Sequence, residues 1–419
     1  MANNERSFFK KVLSVFVTNG VLFVVGMGSS ILSARLLGPE GKGVVGSAVA
    51  LSGIGTQFLN FGMHGSHSYQ LAKNPSCMNR VAGNNLLMAA LAAVCGGLLY
   101  AVVRQQPEWT ASTGVMLGLV CLYIPLSLYQ LLIQNAFLGV GRVGVYNRLN
   151  LINGLGYPAM LLCVAVLGVV SPETVFLCTL AASGLVVVCG LVRLKPLLGE
   201  GIRLDITFFR NCLPFGIKSY MACLGSYLVI RSDVLMIRYF LGEAQTGIYT
   251  VSVNLSDIVG MVPGAVSILL FPEAASMTSD CERAVFMRKV LVRLAIVMAG
   301  LTMAAWFLSG IVIPILYGME YAPSVRAFQI LMPAVFFMSL QSVLSNYFAA
   351  KNMWTGNIVT PFIGLAVNFS MNAVLIPRMG IEGAASASVV SYGAMMAVML
   401  ARFIGDSRRI EKELRKHEA

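Results

Sequence analysis

Four ionisable side chains lie deep inside two long apolar stretches of the sequence. Lys218, Arg231 and Asp233 fall in the first stretch, and Asp257 falls in the second. On insertion scales a charged group at the centre of a membrane helix costs roughly 2.5–3.5 kcal/mol, so it is expected to face a partner or a water-filled cavity. These residue types could form an ion pair, bind an anion, or take up a proton or a small cation.

Arg231 and Asp257 are predicted to form an ion pair. A turn is expected near Ala244, and both residues lie 13 positions from it, so they share one depth on adjacent antiparallel helices. Two interpretations stay open. The pair could lock two helices together, or it could break and re-form as the helices move, with a carboxylate that accepts H⁺ or Na⁺.

A polar stripe is predicted on another helix. Gln57, Asn60, His64 and His67 follow the spacing i, i+3, i+7, i+10, which places them on one face. Such a stripe either lines a wet recess or forms a polar seam between helices. Neither the histidines nor the nine cysteines have the spacing of a zinc site, so we expect no metal centre.

The elements that must position these residues are membrane helices. Of the 419 residues, 57% are hydrophobic and 11% are charged, whereas a soluble domain carries about 25% charged residues. This composition excludes a soluble enzyme and a nucleic-acid-binding protein. Runs long enough to cross a bilayer lie at 12–34, 44–64, 82–103, 113–138, 145–169, 173–193, 213–240, 247–271, 290–316, 325–349, 357–376 and 384–404. They lack the alternation of barrel strands, so an all-α integral membrane protein with about 12 transmembrane helices is predicted.

The distribution of basic residues predicts the orientation. Twenty-two lysines and arginines fall in segments on the side of the N-terminus. The opposite side has six, namely Arg35, Lys42, Arg104, Arg238, Arg326 and Arg378. Because basic loops are retained in the cytoplasm, both termini are expected there. The first run is too long for a signal peptide and is interpreted as an uncleaved anchor.

The two halves of the chain repeat each other. At an offset of 204 residues, Gly38 aligns with Gly242 and Gly43 aligns with Gly247. Two sets of six spans in the same orientation are typical of a transporter with a substrate path between the halves. The predicted domains are an N-terminal six-helix bundle (1–200), a C-terminal six-helix bundle (201–405) and a charged cytoplasmic tail (406–419).

The repeat suggests where the polar stripe and Lys218 meet. His64 lies 24 residues after the first turn, near Glu40, and Lys218 lies 26 residues before the second turn. Symmetry then places them at similar depth on facing bundles. Together they would form a cationic recess open to the cytoplasm and suited to a pyrophosphate group.

Segments around both turns carry a resemblance to a known family. Residues 35–43 and 231–277 resemble the polysaccharide-export branch of the multidrug/oligosaccharidyl-lipid/polysaccharide (MOP) exporter superfamily. The second segment contains Asp233 and Tyr249 and ends in Phe-Pro-Glu at 271–273. The resemblance covers the whole chain in layout, and its motifs indicate the family rather than the substrate.

The resemblance implies a flippase, not an enzyme, which carries an undecaprenyl-pyrophosphate-linked oligosaccharide across the bacterial inner membrane by alternating access. The cargo would be an O-antigen, capsule or exopolysaccharide unit. The substrate would bind at Lys218 and the polar stripe, while Arg231, Asp233 and Asp257 would act in gating or in coupling to H⁺ or Na⁺. No cofactor is expected.

The expected surroundings are membrane lipids, a polysaccharide polymerase and glycosyltransferases, with no nucleic acid. Two alternatives stay open. One is a multidrug/cation antiporter of the same fold. The other is a membrane polysaccharide polymerase or ligase, which the short outer loops disfavour.

Overall fold

The part of the chain that the structure describes is almost entirely helical. This computed structural model describes the backbone of residues 2–103, 105, 107–199, 201–277 and 279–418. The side chains of residues 2–17, 19, 103, 107–113, 218, 219, 265, 268, 269, 271, 272 and 413–418 lie outside the described part. Within these limits no strand is present, and the predicted all-α fold is confirmed.

Twelve α-helices follow one another along the described residues. They are α1 (Ala2–Asn60), α2 (Met63–Lys73), α3 (Met78–Val103), α4 (Pro107–Gly139), α5 (Val143–Val166), α6 (Pro172–Leu194), α7 (Ile206–Val259), α8 (Met261–Ser276), α9 (Asp280–Tyr317), α10 (Ser324–Ala350), α11 (Trp354–Met379) and α12 (Ile381–Glu418). In a bilayer core, helices satisfy all their backbone hydrogen bonds internally, which explains why so glycine-rich a sequence is helical.

Ten segments of the described chain are long and apolar enough to cross a membrane. Two of them, Gly20–Asn60 and Tyr220–Gly264, have 41 and 45 residues, about twice the 20 that one crossing needs. Each bends at a glycine with non-helical backbone, Gly38 at φ 65° and Gly242 at φ 82°. Counting each arm as one crossing gives twelve, as the apolar runs predict.

The duplicated glycines have a conformational reason. Positive φ is disfavoured for residues with a Cβ and open to glycine, so Gly38 and Gly242 allow each long helix to turn sharply. After the second bend, the Thr246 hydroxyl donates to the Gly242 carbonyl at 2.8 Å. The repeat seen in the sequence is therefore a repeated bend in the backbone.

The chain divides into two compact units, Met1–Leu224 and Gly225–Ala419. The boundary lies 24 residues after the predicted one at 200. The reason is that the first part of α7 packs on the N-terminal unit, where the Ser66 hydroxyl donates to the Cys212 carbonyl at 2.8 Å.

The charged tail predicted at 406–419 is not a separate element, because α12 continues through it to Glu418. Lys351 Nζ lies 2.6 Å from Asp406 and 3.2 Å from Asp280. The Tyr347 hydroxyl also donates to Asp406, at 2.5 Å. We call these four residues the Lys351 clasp. It joins the beginning of α9, the end of α10 and the charged part of α12.

Candidate functional site

The polar stripe does not lie on one continuous helix. α1 ends at Asn60 and α2 begins at Met63, after two residues with positive φ, Phe61 (45°) and Gly62 (72°). A Cβ on Gly62 would lie 2.2 Å from the carbonyl oxygen of Gly216. The close approach of α7 thus requires glycine at the break, and the prediction of one unbroken helical face is wrong here.

Asn60 and His64 stay together across this break. Asn60 Nδ2 donates to His64 Nδ1 at 2.6 Å, and Asn60 Oδ1 accepts from the His64 backbone N–H at 3.4 Å. Asn60 is buried, whereas His64 and Gln57 are half-buried. Gln57 Oε1 has no hydrogen-bond partner among the described residues. A buried amide oxygen of this kind is an acceptor that water or a ligand can satisfy.

His67 is packed inside the N-terminal unit. Its Nδ1 lies 2.8 Å from Asn85 Oδ1, and its ring stacks on Phe208 with centroids 6.3 Å apart. It lies in α2, which is not among the candidate membrane spans. Burial lowers the pKa of His67 to about 4, so the ring is neutral at neutral pH. It therefore contributes no positive charge to a recess in this structure.

The backbone of Lys218 runs beside the break in the stripe. On one side of it, Gly216 approaches Gly62, as described above. On the other side, the Tyr220 hydroxyl donates to the Phe58 carbonyl at 3.0 Å and its ring lies 6.2 Å from Phe61. Lys218 thus belongs to the same unit as the stripe, rather than to a facing bundle. Its side chain lies outside the described residues.

Arg231 and Asp257 form the predicted ion pair in the C-terminal unit. Arg231 Nη2 lies 3.3 Å from Asp257 Oδ2. Their side chains are 30% and 47% exposed, so the pair is accessible from one side. It joins the two arms of α7 on either side of the bend at Gly242.

Asp233 is the most deeply buried acidic residue of this group, at 3% exposure. Its Oδ2 accepts a 2.5 Å hydrogen bond from the Tyr249 hydroxyl, and its Oδ1 accepts from the Val234 N–H at 2.8 Å. Tyr249 is itself fully buried. The bend of α7 therefore brings the two family-motif residues Asp233 and Tyr249 into direct contact.

A small cavity of about 50 Å³ lies next to Asp233. Its polar lining consists of Asp233, Tyr249, Ser256, Asp257, Ser388 and Tyr392. Ser256 Oγ is buried and has no hydrogen-bond partner among the described residues. This volume has room for one water molecule or one small monovalent cation.

A second polar layer continues from the cavity into α11 and α12. Asn372 Nδ2 donates to Asn368 Oδ1 at 2.9 Å, and Asn368 contacts Ser232 and Ser391 at 3.4 Å. Asn372 Oδ1 is buried without a partner among the described residues. Asp233 is thus largely removed from water and shares its cavity with a second carboxylate, Asp257, whose partner is Arg231. Such a carboxylate is stable only when it is protonated or beside a cation.

Lys42 was missed by sequence reasoning, which placed it in an outer loop. It is 6% exposed, and its Nζ lies 2.7 Å from Ser33 Oγ and 3.2 Å from the Ser30 carbonyl oxygen. The bend at Gly38 folds the second arm of α1 back on the first, which brings these residues together. The sequence does contain a signal for this burial. Two serines one helical turn apart are followed by the bend glycine and then by the lysine.

Comparisons with known proteins bear on the family and the fold. A model of the family described as "Polysaccharide biosynthesis protein" matches residues 145–326. The "probable flippase AglR" of Haloferax volcanii is 26% identical over 180 residues, which is 40% of this chain and 36% of that protein. The chain spans less than half the length of the curated relatives that it matches.

Solved transporters share the fold. A structure of the lipid II flippase MurJ, in an inward closed conformation, has a TM-score of 0.77 at 12% identity and covers 94% of this chain and 89% of its own. An inward-facing multidrug resistance MATE family transporter of the MOP superfamily has a TM-score of 0.74 at 11% identity, covering 95% and 96%. Together with the family match, these support the predicted resemblance, and at identities of 11–12% the structures themselves show a shared fold.

Proposed function

We propose that this chain, which has the fold of MOP transporters and matches a polysaccharide-biosynthesis family, is a flippase. Its cargo would be an undecaprenyl-pyrophosphate-linked oligosaccharide, and it would work by alternating access. The observation that supports this best is the extent of the family match, 145–326. It includes the buried Asp233 and the partly exposed ion pair of Arg231 and Asp257. The proposed location is a bacterial inner membrane with both termini in the cytoplasm, as the basic loops predict.

The cargo pyrophosphate is proposed to bind in the N-terminal unit near Lys218. The backbone of this lysine lies beside the α1–α2 break, where Gln57, Asn60 and His64 offer polar groups. The unsatisfied, buried Gln57 Oε1 supports this location because it is an acceptor that a bound ligand or a water molecule can satisfy. His67, which is buried against Asn85 and Phe208, is assigned no contact with the cargo.

Coupling is proposed to take place at Asp233. The carboxylate adjoins a cavity of one-ion size, and a proton or Na⁺ there would neutralise a charge that is otherwise costly in the membrane interior. The neighbouring Arg231–Asp257 pair would break and re-form as the arms of α7 move.

Reconstitution tests the flippase directly. Proteoliposomes with a fluorescent undecaprenyl-pyrophosphate oligosaccharide in one leaflet report transfer to the other leaflet by quenching. We expect transfer well above that of protein-free vesicles. Lys195→Ala, which changes an exposed lysine, should transfer at the wild-type rate. Transfer no faster than in empty vesicles would overturn the proposal.

A multidrug/cation antiporter is the second candidate, and the MATE structural match supports it. Efflux of cationic dyes against an ion gradient, in the same vesicles, distinguishes it. A polymerase or ligase would instead change polymer length in cells while export of single units continued.

A further inference from the structure

The C-terminal unit contains a groove that none of the proposed transport residues uses. It is lined by Trp306 of α9, the segment from Arg326 to Pro333 of α10, and the segment from Glu382 to Val390 of α12. Its volume is about 590 Å³, more than ten times that of the cavity at Asp233. The same end of the unit carries all three parts, because α9 ends there while α10 and α12 begin there.

The groove changes from charged to apolar along its length. Arg326 and Glu382 lie in the first turns of α10 and α12, at the mouth. Pro333 and Val390 lie about 10–12 Å further along these helices, at 1.5 Å per residue. One leaflet of a bilayer core is about 15 Å deep. The groove thus extends from the interface through most of one leaflet.

The charges at the mouth remain available to a ligand. Arg326 Nη1 and Glu382 Oε1 are 3.7 Å apart, which is longer than a hydrogen bond. The two side chains are 79% and 36% exposed. A group that carries both a negative and a positive charge could contact both residues at once, whereas a purely anionic group would be repelled by Glu382.

The walls below the mouth suit a hydrocarbon chain. Val390 is 48% exposed and Trp306 is 42% exposed. Among the described residues that line the groove between mouth and floor, Gln329 and Ser386 carry the hydrogen-bonding side chains besides the Trp306 indole. Gln329 Nε2 donates to Ser309 Oγ at 3.1 Å and to the Trp306 carbonyl at 3.2 Å, and the Ser386 hydroxyl donates to the Glu382 carbonyl at 2.8 Å. Because the donors of both side chains are already engaged by protein oxygens and the rest of the lining below the mouth is largely apolar, the floor of the groove suits a hydrocarbon chain.

We infer that this groove is a binding site for a zwitterionic phospholipid with a primary ammonium, such as phosphatidylethanolamine. Arg326 binds the phosphate, Glu382 accepts hydrogen bonds from the ammonium, and one acyl chain lies along Pro333, Val389 and Val390. The inference requires only that the protein lies in a membrane and is independent of the cargo that it transports.

Native mass spectrometry of the full-length protein tests this site with three probes, dioleoyl phosphatidylethanolamine, dioleoyl phosphatidylglycerol and undecaprenyl phosphate. We expect tighter binding of phosphatidylethanolamine. Arg326→Gln should weaken it about tenfold, the value of one charge-assisted hydrogen bond. Glu382→Gln should weaken the binding of phosphatidylethanolamine but not the binding of phosphatidylglycerol. Val390→Trp, which fills the floor of the groove, should reduce the binding of both phospholipids. Arg378→Gln changes an exposed arginine outside the groove and serves as the matched control.

Three results would overturn the inference. The first is equal retention of both lipids by the wild type, which would indicate only a general lipid layer. The second is an equal loss of phosphatidylethanolamine binding in Arg326→Gln and in the control Arg378→Gln. The third is retention of undecaprenyl phosphate but not phosphatidylethanolamine, with loss in Val390→Trp, which would assign the groove to a polyprenyl chain.

Discussion

The Tyr249 hydroxyl donates a 2.5 Å hydrogen bond to Asp233 Oδ2 across the two arms of α7. Both side chains are buried, and the bend at Gly242 lies between them in sequence. A proton or cation bound in the adjoining cavity would therefore act on a contact that links both arms. Because the same contact holds the arms together, loading of the carboxylate can be transmitted to the shape of the helix.

Asp233→Asn is expected to abolish the ion dependence of transport while the protein still inserts. Asparagine is nearly isosteric and keeps an acceptor for Tyr249, but it has no charge to exchange with a proton or cation. Transport by this variant should be at least tenfold slower and insensitive to a Na⁺ or H⁺ gradient, as measured in the reconstituted vesicles.

Tyr249→Phe is the matched control for this prediction. It removes the hydrogen bond, worth about 1.5–3 kcal/mol when one partner is charged, but leaves the carboxylate. It should lower thermal stability and keep a gradient-dependent rate. An ion response in Asp233→Asn equal to the wild type would contradict coupling at this residue.

The Arg231–Asp257 pair is expected to act as a pair. The charge-swapped double variant Arg231→Asp/Asp257→Arg should recover at least half of the transport that each single charge reversal loses. Both side chains are partly exposed, so the stability cost of a single change should stay near 1 kcal/mol or below. The measurement compares the transport rates of the wild type, the two single variants and the double variant. If the double variant recovers no transport although all the variants fold correctly, Asp257 would instead have a role of its own.

Lys351→Met is expected to destabilise the C-terminal unit. The lysine is 9% exposed and lies between two carboxylates, and removing one partner of a buried ion pair costs about 3–5 kcal/mol. Melting in detergent can be followed with a thiol-reactive dye, because the described cysteines are free. Lys195→Met, at an exposed lysine, should melt like the wild type. Equal melting of the two variants would show that the Lys351 clasp adds nothing to stability.

His67 is expected to make the N-terminal unit less stable in mild acid. Its pKa is about 4 when folded and about 6.5 when exposed, so the unfolded state binds more protons between these values. The contribution of His67 to the free energy of unfolding is then fully present above pH 6.5. It falls by up to about 3 kcal/mol as the pH drops to 4. The same melts at pH 7.5 and 5 measure this slope.

His67→Gln should flatten this pH dependence because glutamine can bond to Asn85 without titrating. The third histidine of the sequence provides the control, and His417→Gln should keep the wild-type slope. Equal slopes in both variants would show that another group causes the acid sensitivity.

The sequence predicted the helical membrane fold, the duplicated bend and the Arg231–Asp257 pair because these depend on periodicity and on distance from a turn. It could not predict the break at Gly62, which results from the approach of Gly216, 154 residues away. For the same reason it missed the burial of Lys42 on Ser33. Long-range packing, rather than local preference, determines both features.

Lys218→Ala is expected to impair export while insertion stays normal. The backbone of Lys218 lies beside the α1–α2 break, and loss of a charged contact to pyrophosphate should weaken cargo binding at least tenfold. The measurement is the concentration dependence of cargo transfer in vesicles, where half-maximal transfer should need more cargo. Lys218→Arg keeps the charge and should recover part of the activity, whereas Lys195→Ala should change nothing. Wild-type concentration dependence in Lys218→Ala would remove the pyrophosphate site from this position, and the separate proposal of coupling at Asp233 would still stand.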